Sequence, residues 1–588
     1  MYPHMNEESM SLAVDAVNKR FLPHFIKKKR EVDSSKSKFY KRYAKWLEGE
    51  FTLDLGTSSV DSCSECDVGG RPVKHFSECG KRAQYYKVNS LRECCSQELI
   101  DAAASSSREE EKRAVLDADS ALALITQANL SKYQYETIRK TTKEKGYNIF
   151  PSYGKVLEAK TKCYPPNIEI SEISAKVPLQ SLLDHTVTRI FESRSDSETN
   201  NWPEELMLHT KWGIDGASGQ SEYKQRFSAD NNDASDSHLF LTSIVPLLIT
   251  PTTFTETESR EIWKNERPSS TNYCRALHFQ FKKETPELTR LEKNRVDMEI
   301  KELSETFITS GTRTLRVSHK LHFTMIDGKV AQVVTNTSSA SNCILCGAKP
   351  SQLNDMSRYG CPILKEEALL LGMSTLHARI KFMEYILHLS YNMQFEAWRT
   401  TPATRPIKEE KKKHVQDEFL KRMGLYVDMV KQGTGTTNDG NTSRRFFSNP
   451  ALVAEITQVD ERLISRLGVI LEVICCLSPI DTSKFREYSH ETATLATTLY
   501  PWYYLPANIH KILFHGTEII ESAALPIGSL SEEAQECRNK HYKYFRTHHS
   551  RKCSRLATNE DVFHQMLISS DPFISSLRPQ FKTKNAAK

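Results

Sequence analysis

Apolar residues along this chain change their spacing several times, and each change marks a boundary. In SLAVDAVNKRFLPHFI and KFYKRYAKWLEGEF they recur at helical intervals, which predicts a basic helical arm over residues 1–55. Gly69, Gly70 and Pro72 then interrupt the pattern, so residues 56–115 read as a separate small domain. Helical spacing returns around Leu116, Leu122, Leu124 and Ile125, and residues 116–165 are expected to be helices with Lys and Arg toward their ends. PSYGKVLEAKTKCYPPNIEI is turn-rich, SLLDHTVTRIF reads as one more helix, and residues 166–206 form a connector closed by the acidic SRSDSETNNWPEE. From Glu205 the period becomes that of strands: LMLHTKWGI, HLFLTSIVPLLIT and CRALHFQFKK, each bounded by turn residues. An amphipathic helix, LTRLEKNRVDMEIKELSETFI, leads to a fourth strand, RVSHKLHFTMI. Beyond it STLHARIKFMEYILHLSYNMQFEAWR, EEKKKHVQDEFLKRMGLYVDMV and ERLISRLGVILEVICCL are helical, with the Gly/Asn/Thr-rich KQGTGTTNDGNTSRRFFSNP expected to be a loop.

Three strands, a helix and a fourth strand are the opening order of an RNase H-like α/β core, here residues 207–340. Such a core takes acidic residues from strand ends and a later helix. Asp215 in KWGIDG and Asp327 in FTMIDGKV stand at the ends of apolar runs, and Glu536 lies in the helical segment 526–556. Each aspartate precedes a glycine, so a plain Asp-Gly hairpin turn is the competing reading. Three converging carboxylates would suit two Mg2+ (or Mn2+) ions, hard cations that take oxygen ligands and keep positions open for water and phosphate. The gap from Asp327 to Glu536 is far longer than the core needs, so residues 341–525 read as an insertion. Cys343 and Cys346 near its start have metal-knuckle spacing, and His510 and His515 stand near its end. Together they form a candidate four-ligand site for one structural Zn2+. His377, His388 and His490 read as core or surface histidines rather than ligands.

Charge and cysteine usage narrow the class. The formal net charge is +6, but it is unevenly distributed: Arg538 to Leu556 holds seven Lys or Arg and no acid, and Lys27 to Lys45 includes KKKR. Such runs suit phosphate contact or nuclear import, or they are simply solvated faces. The fourteen cysteines have no framework spacing, which favours a reducing compartment. The start MYPHMNEESM is polar and acidic, so no secretory leader is expected, and the longest apolar run, near Leu467 to Leu477, is too short for a bilayer. Gly69, Gly70, Arg71 and Pro72 would make a thin, extended hook that lays Arg71 in a narrow minor groove, followed by Lys74, Lys81 and Arg82 on the phosphates. Cys63, Cys66, His75 and Cys79 offer a competing reading of the same stretch as a second zinc module.

The segment GGRPVKHFSECGKRAQYYKVNSLRE resembles the nonamer-binding segment of the catalytic subunit of the V(D)J recombinase and of Transib transposases. CILC and IHKILFH resemble that family's zinc cysteine and histidine pairs. WGIDG, MIDGKV and IGSLSEEAQECRNK resemble the segments holding its two catalytic aspartates and its catalytic glutamate, and DGNTSRRFF resembles a further loop. The resemblance runs collinearly over roughly residues 60–565, and the compact length is closer to a Transib transposase. It implies a DDE transposase acting as a homodimer in the nucleus. The enzyme would bind terminal inverted repeats in double-stranded DNA, nick at the element's end, leave hairpins on the donor flanks and join its 3′ ends to target DNA. In that scheme Asp215, Asp327 and Glu536 would hold two Mg2+, and Cys343, Cys346, His510 and His515 would hold zinc. Gly69 to Pro72 would grip the repeat, with Arg444, Arg445, Arg538 and Lys540 as further DNA contacts and residues 557–588 as a tail. A catalytically silent DNA-binding protein of the same fold and a non-specific nuclease are the alternatives from other classes.

Overall fold

The computed structural model describes residues 115–219, 225–228, 234–252, 261–310, 313–360, 364–431 and 435–579. The hook residues Gly69 to Pro72, Lys74, Lys81 and Arg82, and the alternative Cys63/Cys66/His75/Cys79 group, lie outside the described residues. Helices of seven residues or more are numbered. Helices α1 (Ala118–Gln127), α2 (Lys132–Glu144) and α3 (Tyr153–Thr161) come first. Asp117 caps α1 and a Ser131/Gln134 capping box starts α2. Buried Ala121, Leu122 and Ile125 pack with Val156 and with Ile568 and Ile574 from near the far end of the chain. Tyr153–Thr161 is helix within the segment that reads as turn-rich.

One eight-stranded mixed sheet dominates the next part: β1 (Glu169–Ile170), β2 (Ser174–Lys176), β3 (Glu205–Ser218), β4 (His238–Pro251), β5 (Trp263–Lys264), β6 (Arg275–Gln280), β7 (Thr306–Ser310) and β8 (Arg313–Phe323). Its order is β1-β2-β6-β4-β3-β8-β7, with β5 on β4. Strand β4 pairs antiparallel with β3 and β6, and β8 runs parallel to β3, an arrangement compatible with an RNase H-like core. Near-continuous burial along β3 and β4 follows from their apolar sequences, because α4 (Leu179–Glu192) and two C-terminal helices take part in the sheet's hydrophobic core. The expected amphipathic helix is α5 (Pro286–Lys301), capped by Thr285. The last residues of that amphipathic run, Thr306 to Ile308, instead belong to β7, an edge strand paired with β8.

Helix α6 (Gly328–Val334) follows β8, and the insertion then folds as α7 (Thr375–Asn392), α8 (Arg405–Met423), α9 (Gly440–Phe447), α10 (Pro450–Thr457), α11 (Glu461–Ile474), α12 (Thr482–Leu499) and α13 (Ala507–Ser522). Their buried faces share one core with Cys343 and Leu345, including Phe382, Ile386, Phe419, Leu467 and Ile512. Two departures from the sequence reading have local causes. Helix α8 stops at Gly424, whose φ of +60° is left-handed. Within the expected loop, Asp439 accepts the Thr442 amide and starts α9, and Asn449 followed by Pro450 starts α10. The chain returns to the sheet through α14 (Glu533–His548) and α15 (Arg555–Ser569). Among the described residues no helix is long and apolar enough to cross a membrane.

Candidate active site and metal centre

The two Asp-Gly steps are not hairpin turns. Asp215 stands inside the β3–β4 ladder opposite Leu241, and β3 continues to Ser218. Its flanking glycines serve close approach. A Cβ on Gly213 would lie 1.8 Å from the Met325 carbonyl oxygen, and one on Gly216 would lie 2.5 Å from a Glu284 carboxylate oxygen. Bare backbone at Gly213 lets the segment after β8 cross against β3, where the Trp212 carbonyl accepts the amides of Thr324 at 3.2 Å and Met325 at 3.1 Å. That crossing delivers Asp327, whose Oδ1 accepts the Val330 amide at 2.8 Å and caps α6.

Helix α14 supplies the third carboxylate. Gln535, Asn539, Tyr542 and Arg546 form its buried stripe, and Gln535 Nε2 donates at 2.9 Å to the Leu241 carbonyl, opposite Asp215. Asn539 donates to Asp215 Oδ2. Glu536, one position off that stripe, is left half-exposed at its edge. Burial raises the Asp215 carboxyl well above its ordinary value, and the charges of Glu536, Asp327 and Glu284 raise it further. Burial likewise raises Glu536, with Glu532 and Asp327 adding and His377 opposing. Glu536, Asp327 and Glu284 thus lie near enough to Asp215 for their charges to act on it.

Two neighbours of this cluster escaped the sequence reading. Glu284, at the start of α5, pairs with Lys329 at 3.0 Å, and burial together with Asp327 raises its carboxyl. His377, taken as a core or surface histidine, has Nδ1 3.0 Å from Glu532 and Nε2 3.6 Å from Glu536. Burial opposes its protonation, but Glu532 and Glu536 together raise the imidazole to about 9. No local signal marks either residue, since both face the cluster only through tertiary packing. A cleft of about 630 Å³ opens beside Asp327, lined also by Lys329, His377, Lys381, Trp398 and Lys511.

The cysteine and histidine pairs meet. One donor atom from each of Cys343, Cys346, His510 and His515 lies within 4.8 Å of the others. Gly347, with φ +70°, turns the knuckle so that the Cys343 amide reaches the Ala348 carbonyl at 2.9 Å. His510 Nδ1 lies 2.9 Å from the Leu353 carbonyl, which sets Nε2 toward Cys346 Sγ at 3.5 Å. Both ring nitrogens of fully buried His515 lack a hydrogen-bond partner. An orphaned buried imidazole beside two thiols fits a structural zinc.

The basic positions separate into three groups. Arg538 is a correction: it is fully buried, donating to the Ser569 hydroxyl and the Thr271 carbonyl, so it cannot reach DNA. Arg546 and Arg555, from the same basic run, are also buried and share Asp236. Arg444 is exposed and pairs with Glu533 at 2.5 Å, while Arg445 donates to the Met423 carbonyl at the end of α8. Lys540 is exposed one turn beyond Glu536.

No protein-family model and no curated protein matches this sequence. Among solved structures the chain is similar to the Drosophila P element transposase strand transfer complex, with 10% identity and a TM-score of 0.30 over 84% of this chain and 100% of that one. Likeness at that level carries neither fold nor activity from one protein to the other.

Proposed function

We propose that the protein is a cut-and-paste DNA transposase of the Transib type, related to the catalytic subunit of the V(D)J recombinase. The observation that carries this reading is the meeting of Asp215, Asp327 and Glu536, from three distant stretches, at one end of a sheet in RNase H-like order. Two Mg2+ or Mn2+ ions held by these carboxylates would activate the attacking hydroxyl and stabilise the leaving oxygen of a phosphodiester. The protein's own part is orientation. Asn539 fixes Asp215, the α6 cap fixes Asp327, and the sheet-facing stripe of α14 fixes Glu536. His377, with Nε2 3.6 Å from Glu536, and Lys329, paired with Glu284, stand beside the carboxylates where a phosphate would lie. Zinc at Cys343, Cys346, His510 and His515 would tie the insertion's start to its last long helix and so set where α14 begins.

Recognition of terminal inverted repeats through Gly69, Gly70, Arg71 and Pro72, action as a homodimer and a nuclear location belong to the same proposal, and they rest on the resemblance. Purified protein incubated with Mg2+ and duplexes from the ends of its own element should nick at the element boundary. It should also leave hairpinned flanks and join the freed 3′ ends to plasmid DNA. Binding to those duplexes without any nicking would favour a catalytically silent DNA-binding protein. Nicking of all DNA alike, without joining, would favour a plain nuclease.

A further inference from the structure

The residue before α14 ties the catalytic helix to the insertion through a side chain that the metal reading leaves unused. Glu532 is 2% exposed, and its Oε1 accepts from the Ser374 hydroxyl, the His377 amide at 3.1 Å and the His377 ring, whose Nδ1 lies 3.0 Å away. Ser374 is the N-cap residue of α7, yet its own side chain caps nothing. Glu532 therefore does from another part of the chain what an N-cap side chain does locally: it accepts a first-turn amide and sets negative charge at the positive end of the helix. Its neighbour reinforces the joint. Ser531 Oγ accepts from Thr375 at 2.8 Å, and its carbonyl accepts from buried Lys211 Nζ of β3 at 2.6 Å. Strand, catalytic helix and insertion thus meet at Ser531–Glu532. With Nδ1 engaged, the His377 ring keeps Nε2 for other partners, 3.6 Å from Glu536 on the wall of the cleft beside Asp327.

We propose that Glu532 is a positioning residue: it caps α7 across the boundary between core and insertion, and through Nδ1 it aims His377 Nε2 at the edge of the carboxylate cluster. There the ring edge at Nε2 meets the backbone of the DNA strand being cut and helps to place it. The last clause rests on the DNA-cutting reading above; the cap does not.

Full-length wild type, Glu532→Ala, Glu532→Gln, His377→Ala and the double variant Glu532→Ala/His377→Ala test this through three measurements. These are Mn2+ titration without DNA, single-turnover nicking of supercoiled plasmid carrying the element's two ends in saturating Mn2+, and hydrogen exchange of the first turn of α7. Mn2+ affinity should stay within about two-fold of wild type in all four, because no ligand is lost. Nicking should slow by about 100-fold in Glu532→Ala and in His377→Ala, the scale of a misplaced catalytic contact. The double variant should be no slower than His377→Ala alone, since both changes remove one contact. Glu532→Gln, which keeps an acceptor oxygen, should recover most of the rate. Amides of the first turn should exchange about five- to ten-fold faster in Glu532→Ala, as loss of a cap requires, and at the wild-type rate in His377→Ala. Additive rate losses, or Mn2+ affinity reduced as far as in Asp215→Asn, would overturn the positioning role. Unchanged exchange in Glu532→Ala would overturn the cap. If wild-type protein leaves the plasmid with the element's ends intact, the DNA-cutting reading falls, and the exchange measurement still decides the cap.

Discussion

Replacing Gly213 by alanine puts a methyl carbon 1.8 Å from the Met325 carbonyl oxygen and 2.4 Å from its carbon. Both contacts are with backbone, so no rotamer change relieves them. Opening the oxygen contact from 1.8 Å to the 3.0 Å that real Cβ atoms tolerate requires the crossing segment to retreat by at least 1.2 Å. That retreat strains the hydrogen bonds from Thr324 and Met325 to the Trp212 carbonyl, now 3.2 and 3.1 Å. Overpacking costs about 1–3 kcal/mol, and each lost hydrogen bond about 1 kcal/mol, so destabilisation of about 3 kcal/mol is expected. The catalytic effect is larger. Asp327 lies two residues beyond Met325 and moves with it, while metal-site geometry tolerates about 0.5 Å, so nicking should fall by about 100-fold or more. Gly328 is the internal control: it adjoins Asp327, but a Cβ there meets nothing within 4 Å. Gly328→Ala should cut DNA normally and gain up to about 1 kcal/mol. Urea unfolding and single-turnover nicking in Mn2+ read the two effects separately. Nicking by Gly213→Ala within about two-fold of wild type would refute the argument that this crossing sets the site.

Three further outcomes are expected. The purified protein should carry about one zinc per chain at the Cys2His2 group. His510→Ala or His515→Ala should lower that content and unfold at clearly lower temperature, measured by metal analysis and thermal melts; full zinc and an unchanged melt in both would exclude these ligands. Arg538→Ala should cost about 2–4 kcal/mol in urea unfolding, because it leaves a cavity and two unpaired acceptors, and the salt dependence of DNA binding should stay unchanged. In the hook, Arg71→Ala should narrow the difference between repeat and scrambled DNA. Lys81→Ala should weaken both alike and reduce the salt slope, read from binding titrations at two salt concentrations.

What was legible in the sequence follows from how local each signal is. Strands β3, β4 and β6, helix α5 and β8 read correctly because each is a continuous apolar or amphipathic run bounded by turn residues. The four sulfur and nitrogen donors were legible from spacing, since a knuckle needs a fixed step between cysteines and a helix presents both histidines. The meaning of the glycines in WGIDG was not. Their role is to admit Met325 and Glu284, which lie over sixty residues away in sequence. The basic run after Glu536 misled for a related reason: composition gives charge but not facing, and Arg538, Arg546 and Arg555 turn inward to Ser569, Thr271 and Asp236. His377 and Glu532 were invisible because each matters only as the partner of the other.

The central claim is that Asp215, Asp327 and Glu536 form one metal-dependent DNA-cutting site. Nicking of supercoiled plasmid carrying the element's two ends, followed with and without Mg2+ for wild type and Glu536→Gln, tests it in a single gel. Wild type should nick only with Mg2+, and Glu536→Gln should not nick at all while binding the same DNA and keeping its zinc and its melting temperature. Nicking by Glu536→Gln at the wild-type rate, or equal nicking by wild type in excess EDTA, would contradict the account.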